Sequence, residues 1–257
     1  MLRISFLYIF FFLFQTSIYA QNNAIGSGEK LVFTASYNMS GVLTDIAQVI
    51  METSDVKTSK ATLLRLKCTA TTYSKWDNFF KIRDLYESYV NPKNLSPYLY
   101  NRDINEGNYY KNMKYTYDYK TNTVKTVQKK KNNNVEDKIV SLNSGTKDIV
   151  STIYYIRLYD FEDMVIGTSK TLPIIFDREE IIGKITYLGK ESISTALGKK
   201  ECYKLAIGSS QTDVLQGKNN NFLWLTADLN KIPVYGKFKI PVGNGELKIK
   251  SASGLKN

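Results

Sequence analysis

Eight polar residues have types and spacing that could do chemistry: Asp84, Ser88, Arg102, Glu106, Asp118, Asp148, Ser151 and Arg157. Two carboxylates from this set could act as acid and base on a glycosidic bond, which needs ~5–9 Å between them. Alternatively, some of the eight could line a ligand groove. Each also has a structural explanation. Asp148 suits the start of a helix, Arg157 can pair with a carboxylate, and Glu106 precedes the turn glycine Gly107. The structural explanation is preferred because capping and turn roles already account for several of them. With Ser151 left out and three aromatic residues added, the ligand-binding candidates are Trp76, Asp84, Tyr86, Ser88, Arg102, Glu106, Asp118, Asp148, Tyr155 and Arg157.

Other chemistry is excluded by composition. The 257 residues contain no histidine, which removes Ser-His-Asp and Cys-His nucleophiles, HExxH zinc sites and any imidazole base. Two cysteines, Cys68 and Cys202, cannot build a four-cysteine metal site. They could form one disulfide in an oxidising compartment, or stay free and buried. Ser59-Lys60, Ser74-Lys75 and Ser169-Lys170 lack the S-x-x-K spacing of a serine nucleophile. No phosphate-binding glycine loop, dinucleotide fingerprint or EF-hand is present. The expectation is a protein without cofactor, metal or enzymatic activity.

The net charge is +11. Part of it gathers at Lys129-Lys130-Lys131, with Lys125 and Lys138 nearby. Such a tip could attract anionic lipid or glycan. A solvated loop, offset by Glu136 and Asp137, is the simpler reading. Nucleic acid is not expected as a partner. Trp76, Phe79 and Phe80 could anchor a ligand, but a plug for the core is preferred.

The elements that must position these groups are mostly strands. Residues 1–20 stand apart: Arg3, an apolar run from Ile4 to Phe14, then a polar stretch ending at Ala20. That is the order of a secretory signal, and the run is short for a membrane span of ~20 residues. Residues 21–27 read as a polar leader, 28–252 as one β domain and 253–257 as a tail. After residue 20 no segment is apolar enough to cross a bilayer. Leu31, Phe33, Ala35 and Tyr37 alternate with polar neighbours. Leu64, Leu66, Cys68 and Ala70 do the same, as do Tyr203, Leu205 and Ile207. This is the period of antiparallel strands with one wet face. Asn- and Gly-rich turns at 38–41, 91–94, 106–108, 120–122, 132–134, 219–221, 228–231 and 243–245 divide about a dozen strands. One stretch differs. Ile149, Val150, Ile153, Tyr154 and Arg157 have helical spacing, with Ser144, Thr146 or Asp148 as cap, so one central helix is predicted over about 146–158. Ser74 to Lys81 suits a second short helical turn. The predicted architecture is mainly β: a strongly curved antiparallel sheet or partly closed barrel packed on that helix.

Several segments resemble the domain of unknown function 3108 family. Asp84-Leu85-Tyr86-Glu87-Ser88-Tyr89-Val90 is similar to its D-x-Y-x-S-Y-V-D signature, with Asn91 in place of the final acid. Leu95-x-Pro97, Arg102, Glu106-Gly107 and Tyr117-Asp118 resemble the strands that follow. Gly145-Thr146-x-Asp148-x-x-Ser151-x-x-Tyr154-Tyr155-x-Arg157 resembles its helix. Gly189-Lys190-Glu191 through Gly198 to Cys202-Tyr203-Lys204, and Trp224-Leu225-Thr226 with Ile232-Pro233-Val234, resemble its later hairpins. The resemblance runs from about Gly28 to Ser251. It implies a mainly β exported envelope protein and no catalytic residues. The functional expectation is a binding or envelope-maintenance module for an amphiphilic ligand or a protein partner. Lipid, glycan and envelope protein are all open as partners, in a periplasmic or outer-envelope setting. A structural component of a surface assembly is the first alternative, and a carboxylate glycan hydrolase the second.

Overall fold

The structure, a computed structural model, describes residues 21–39, 41–132, 134–209, 221–240 and 243–257. The expected export segment 1–20 lies outside them, as do Ser40, Asn133, Asn219 and Asn220 of the expected turns.

Alternating sequences become strands because one side chain in two can be buried while the next stays wet. Among the described residues there are fourteen: β1 (Lys30–Met39), β2 (Val42–Lys57), β3 (Thr62–Thr72), β4 (Arg83–Val90), β5 (Pro97–Glu106), β6 (Tyr109–Asp118), β7 (Thr123–Lys130), β8 (Val135–Ser141), β9 (Ser169–Phe176), β10 (Glu179–Thr195), β11 (Gly198–Ser209), β12 (Phe222–Thr226), β13 (Pro233–Ile240) and β14 (Gly243–Ser253). One helix, α1 (Ile149–Ile156), lies between β8 and β9. The predicted mainly β, strongly curved architecture with one central helix is what forms.

All strands belong to one antiparallel sheet in the order β8-β7-β6-β5-β4-β3-β2-β1-β14-β13-β12-β11-β10-β9. Neighbours in sequence pair as hairpins. The exception is β1 with β14, which joins the two halves of the chain. The strands from the middle of the sequence, β8 and β9, are therefore the two ends of the sheet. The sheet is curled: one buried cluster takes Leu66 of β3, Met113 of β6, Val124 of β7, Ile175 of β9, Val234 of β13 and Ile249 of β14. An inward row crosses five strands in register, from Met51 through Cys68, Tyr86 and Arg102 to Met113. Arg65, Lys67 and Glu87 point the other way and form surface ion pairs.

The sheet is not closed by a β8–β9 ladder. The chain between β8 and α1 bridges the seam instead. Lys147 makes a parallel bridge to Ile174 of β9, donating its N–H to Pro173 and accepting from Ile175 N–H. Asn143 and Thr146 both donate to the Glu180 carboxylate. The β9–β10 turn completes the bridge. Its two residues, Asp177 and Arg178, both have positive φ, 46° and 68°. This is the twist a two-residue hairpin needs, but neither is glycine, so each costs about 1 kcal/mol. The far end of the sheet offsets that cost. Arg178 donates from its backbone N–H to the Tyr115 hydroxyl, from Nε to Thr126 and from Nη1 to Glu136.

Two expectations change, and one open alternative is decided. The helix is shorter than 146–158, and of the three possible caps Asp148 is the one used. Trp76, Phe79 and Phe80 do not plug the core. Only Ser74–Trp76 is helical, a 3-10 turn on the outside of the β3–β4 connection, and Phe79 is 80 % and Phe80 52 % exposed. The disulfide raised as one alternative is not formed. Cys68 on β3 and Cys202 on β11 are free thiols with five strands between them. The segments read as leader and tail take part in packing, since Ala24 and Ile25 belong to the core cluster and Leu255 packs against it.

Candidate functional site

Helix α1 lies inside the curl and is held at both ends. At its N-terminus Asp148 accepts from the Ser151 N–H at 2.8 Å and from the Ser88 hydroxyl at 2.6 Å. Burial raises the Asp148 carboxyl, and those hydrogen bonds oppose the rise. At its C-terminus Arg157 is fully buried and meets Glu29, also fully buried, through two bonds of 2.6 and 2.7 Å. Its remaining donors reach the carbonyls of Asn230 and Ala24. A buried pair is tolerable only when such additional bonds satisfy both ions. Lys147, just before the cap, points its Nζ at the Leu95 carbonyl and stands 4.2 Å from the Tyr155 ring centroid. Burial lowers its pKa to about 8.

One face of α1 looks into a cavity of about 470 Å3. Ile149, Thr152, Ile153 and Ile156 form that face, at the i, i+3/i+4, i+7 spacing of a helix stripe. Opposite them stand Leu172, Ile174 and Ile181 of β9 and β10, Ile207 and Leu223 of β11 and β12, and Tyr235 and Phe238 of β13. Phe33, Met51 and Cys68 close the wall on the β1–β3 side. Gly183 leaves room for the Ile174 side chain, whose Cδ1 lies 2.6 Å from where a Cβ would stand. Several inward apolar side chains, including Val49, Ile153, Ile207 and Leu247, are only half-buried, because they face this space rather than other side chains. A mostly apolar cavity of this size with few polar groups is the usual form of a small-molecule site.

The polar groups of the wall include Arg102, Tyr86 and Thr152. The Arg102 guanidinium lies near two rings, 5.5 Å from the Tyr86 centroid and 5.1 Å from that of Phe176. Its Nη1 donates to Asp177 at 2.8 Å, and Lys111 Nζ shares that oxygen at 3.1 Å. Next to Arg102, Asp84 accepts from the Asn105 N–H and the Tyr86 hydroxyl. Burial and the nearby Asp84 raise the Glu106 carboxyl, against the pull of Arg102. Burial also pushes the Cys68 thiol up to about 12 and the Cys202 thiol up to about 11, which removes both as nucleophiles at neutral pH.

The candidates chosen from sequence thus separate into groups. Tyr86 and Arg102 line the cavity, with Asp84 and Glu106 beside them. Ser88 and Asp148 hold one end of α1, Arg157 the other, and Tyr155 stacks on Lys147. Asp118 is the exposed last residue of β6 and accepts from the Lys120 N–H. Trp76 is half-buried outside the curl, its Nε1 on the Asp45 carbonyl. At the basic tip Lys130 pairs with Glu136 and Lys131 reaches the Asn108 carbonyl. Sequence reasoning missed Glu29, Asp177, Arg178 and the whole β9–β13 wall. Only Glu29 left a signal: an arginine on the apolar face of a helix demands a buried acid.

Residues 32–250 match the model of the family described as "Protein of unknown function (DUF3108)". The chain belongs to this family. In this DUF3108 chain Ser88 with Asp148, and Glu29 with Arg157, are the pairs that hold α1. Among solved structures, it is similar to a β-barrel-like protein of the domain of unknown function DUF1849 from Brucella abortus. The TM-score is 0.56 at 8 % identity, covering 88 % of this chain and 97 % of that one. That likeness shows the fold alone. A candidate exported protein with a YmcC-like fold from Bacteroides fragilis matches with TM-score 0.36 at 8 % identity, covering 89 % and 96 %. A candidate lipoprotein from Parabacteroides distasonis matches with TM-score 0.34 at 10 % identity, over the same shares. No curated protein matches the DUF3108 chain in sequence. Among its described residues no helix is long and apolar enough to cross a membrane, and no three acidic or cysteine side chains gather as a metal site.

Proposed function

We propose that this DUF3108 chain is an exported envelope protein that holds an amphiphilic ligand in the cavity beside α1, without catalysing a reaction. The observation that carries this reading is the cavity itself, apolar on nearly all sides and left unfilled by a helix clamped at both ends. Export is supported by the signal-like order of residues 1–20. Glycan hydrolysis has no comparable support: Asp118 and Asp148 have turn and cap roles, and Asp84 and Glu106 lie against each other rather than across a cleft. Native mass spectrometry of the protein purified from its own envelope tests the proposal. A co-purifying amphiphile, displaced when Ile153→Trp fills the cavity, is expected. A ligand-free protein that also refuses every amphiphile after delipidation would end it.

A second reading, a component of a surface assembly, is favoured by β8. This strand is an end of the sheet, and its Val135 and Ile139 are 59 % and 69 % exposed. Unpaired edges with apolar side chains invite pairing with another chain.

A further inference from the structure

We infer that Arg102 anchors the head group of the ligand, and that the ligand is a single-chain amphiphile with an anionic head. The inference rests on the cavity reading above and adds the charge and the contact point. Four observations lead to it.

First, Arg102 lies in the wall of an otherwise apolar cavity, and its side chain is only 13 % exposed. A cation is seldom placed there without a counter-charge. Second, its counter-ion is divided. Asp177 takes both Arg102 and Lys111, so one carboxylate serves two cations, and Asp177 itself is 48 % exposed. The nearby Asp84 is already bonded to Asn105 and Tyr86. Third, the Arg102 Nε is buried and has no hydrogen-bond partner. A buried N–H on a charged group without an acceptor is costly, and the guanidinium fork suits two oxygens of one carboxylate or phosphate. Thr152 Oγ1, on the cavity face of α1, is likewise buried and unpartnered. Fourth, the guanidinium is packed against the rings of Tyr86 and Phe176 and tied to Asp177, so part of its side-chain freedom is already lost before binding. The cavity volume of about 470 Å3 lies in the lower half of the range for small-molecule sites, ~300–1,000 Å3, room for one apolar chain.

The test uses probes with one common chain and different heads: palmitate, hexadecyl phosphate, hexadecanol and hexadecyltrimethylammonium. Each is titrated into delipidated full-length mature protein, with a fluorescent fatty acid as competitor. The anionic probes are expected to bind on the order of ten- to a hundredfold tighter than hexadecanol, the size of one charge-assisted hydrogen bond. The tighter of the two anions identifies a carboxylate or a phosphate head. Arg102→Gln should bring anion and alcohol to equal affinity while leaving hexadecanol binding where it was. Arg102→Lys, which keeps the charge and loses the fork, should restore part of the preference. Equal binding of palmitate and hexadecanol by the unmodified protein, or preference for the ammonium probe, overturns the anchor and leaves the cavity reading standing. Binding of none of the four overturns the cavity reading itself. If Arg102→Gln does not fold, the probe series on the unmodified protein still decides.

Discussion

The two faces of α1 meet different surroundings. On one face Tyr154, followed by Leu158 just beyond the helix, joins the buried cluster that includes Leu66, Tyr100 and Met113, and Ser151 is buried as well. On the other face Ile149, Thr152, Ile153 and Ile156 look across an unfilled space at β9–β13. A helix that is apolar all round is normally packed all round. Here part of that apolar surface faces a space that no described residue fills. The clamps at the two ends make this possible, since Asp148–Ser88 and Arg157–Glu29 hold the helix without help from its open face. On the proposed reading, stability and binding fall on opposite sides of one element.

The comparison breaks most severely at the clamp. Arg157→Met would leave Glu29 as a buried, unpaired carboxylate, at a cost of about 3–5 kcal/mol, read as a drop in Tm. The double variant Arg157→Met with Glu29→Met should recover most of that loss, because a well-packed apolar pair often replaces a buried ion pair without penalty. If the double variant is as unstable as the single one, the clamp works by geometry that apolar side chains cannot copy.

The next effect compares the faces directly. Leu66→Ala on the packed side should cost about 2–5 kcal/mol, the range for emptying a filled core. Ile153→Ala should cost clearly less, on the order of 1 kcal/mol, since the side chain is half-exposed to the cavity already. Equal costs in urea unfolding would mean that the cavity face is as tightly packed as the other. Asp148 comes third. Asp148→Ala removes the cap and strands the Ser88 hydroxyl, a loss of about 1–2 kcal/mol, whereas Asp148→Asn keeps an acceptor and should lose little.

Much of the packed side was legible in the sequence. Leu64 and Leu66 alternate with Arg65 and Lys67, and a period of two assigns faces without further information. Asp148 before an apolar helical repeat is a local capping signal. The cavity side was not legible, for a physical reason. Ile174, Ile181 and Leu223 have the same residue types whether they touch a neighbour or an empty space, and volume left unfilled has no residue of its own. Asp177 and Arg178 escaped for another reason. Their positive φ is carried by neither glycine nor asparagine, so the turn shows no local mark, and what holds it is Tyr115, Thr126 and Glu136, at least 40 residues away in sequence.

The smallest expected effect lies at Glu106, where the two sides meet beside Arg102. Burial and Asp84 raise its carboxyl in the folded protein above the value it has in the unfolded chain. The folded state therefore binds the proton more firmly. Stability from this group is complete below the ordinary carboxylate range and is lost as pH rises through the raised folded value. Glu106→Gln should remove that slope, seen as a flatter plot of Tm against pH above the ordinary carboxylate range. The effect is small because Glu106 is only half-buried. Its dependence on ligand makes it informative. Arg102 is the group that pulls the Glu106 carboxyl down. An anion seated on Arg102 cancels that pull, so saturating palmitate should raise the carboxyl further and steepen the slope in the unmodified protein, and leave Glu106→Gln flat. A slope that palmitate does not change would place the anion elsewhere than at Arg102.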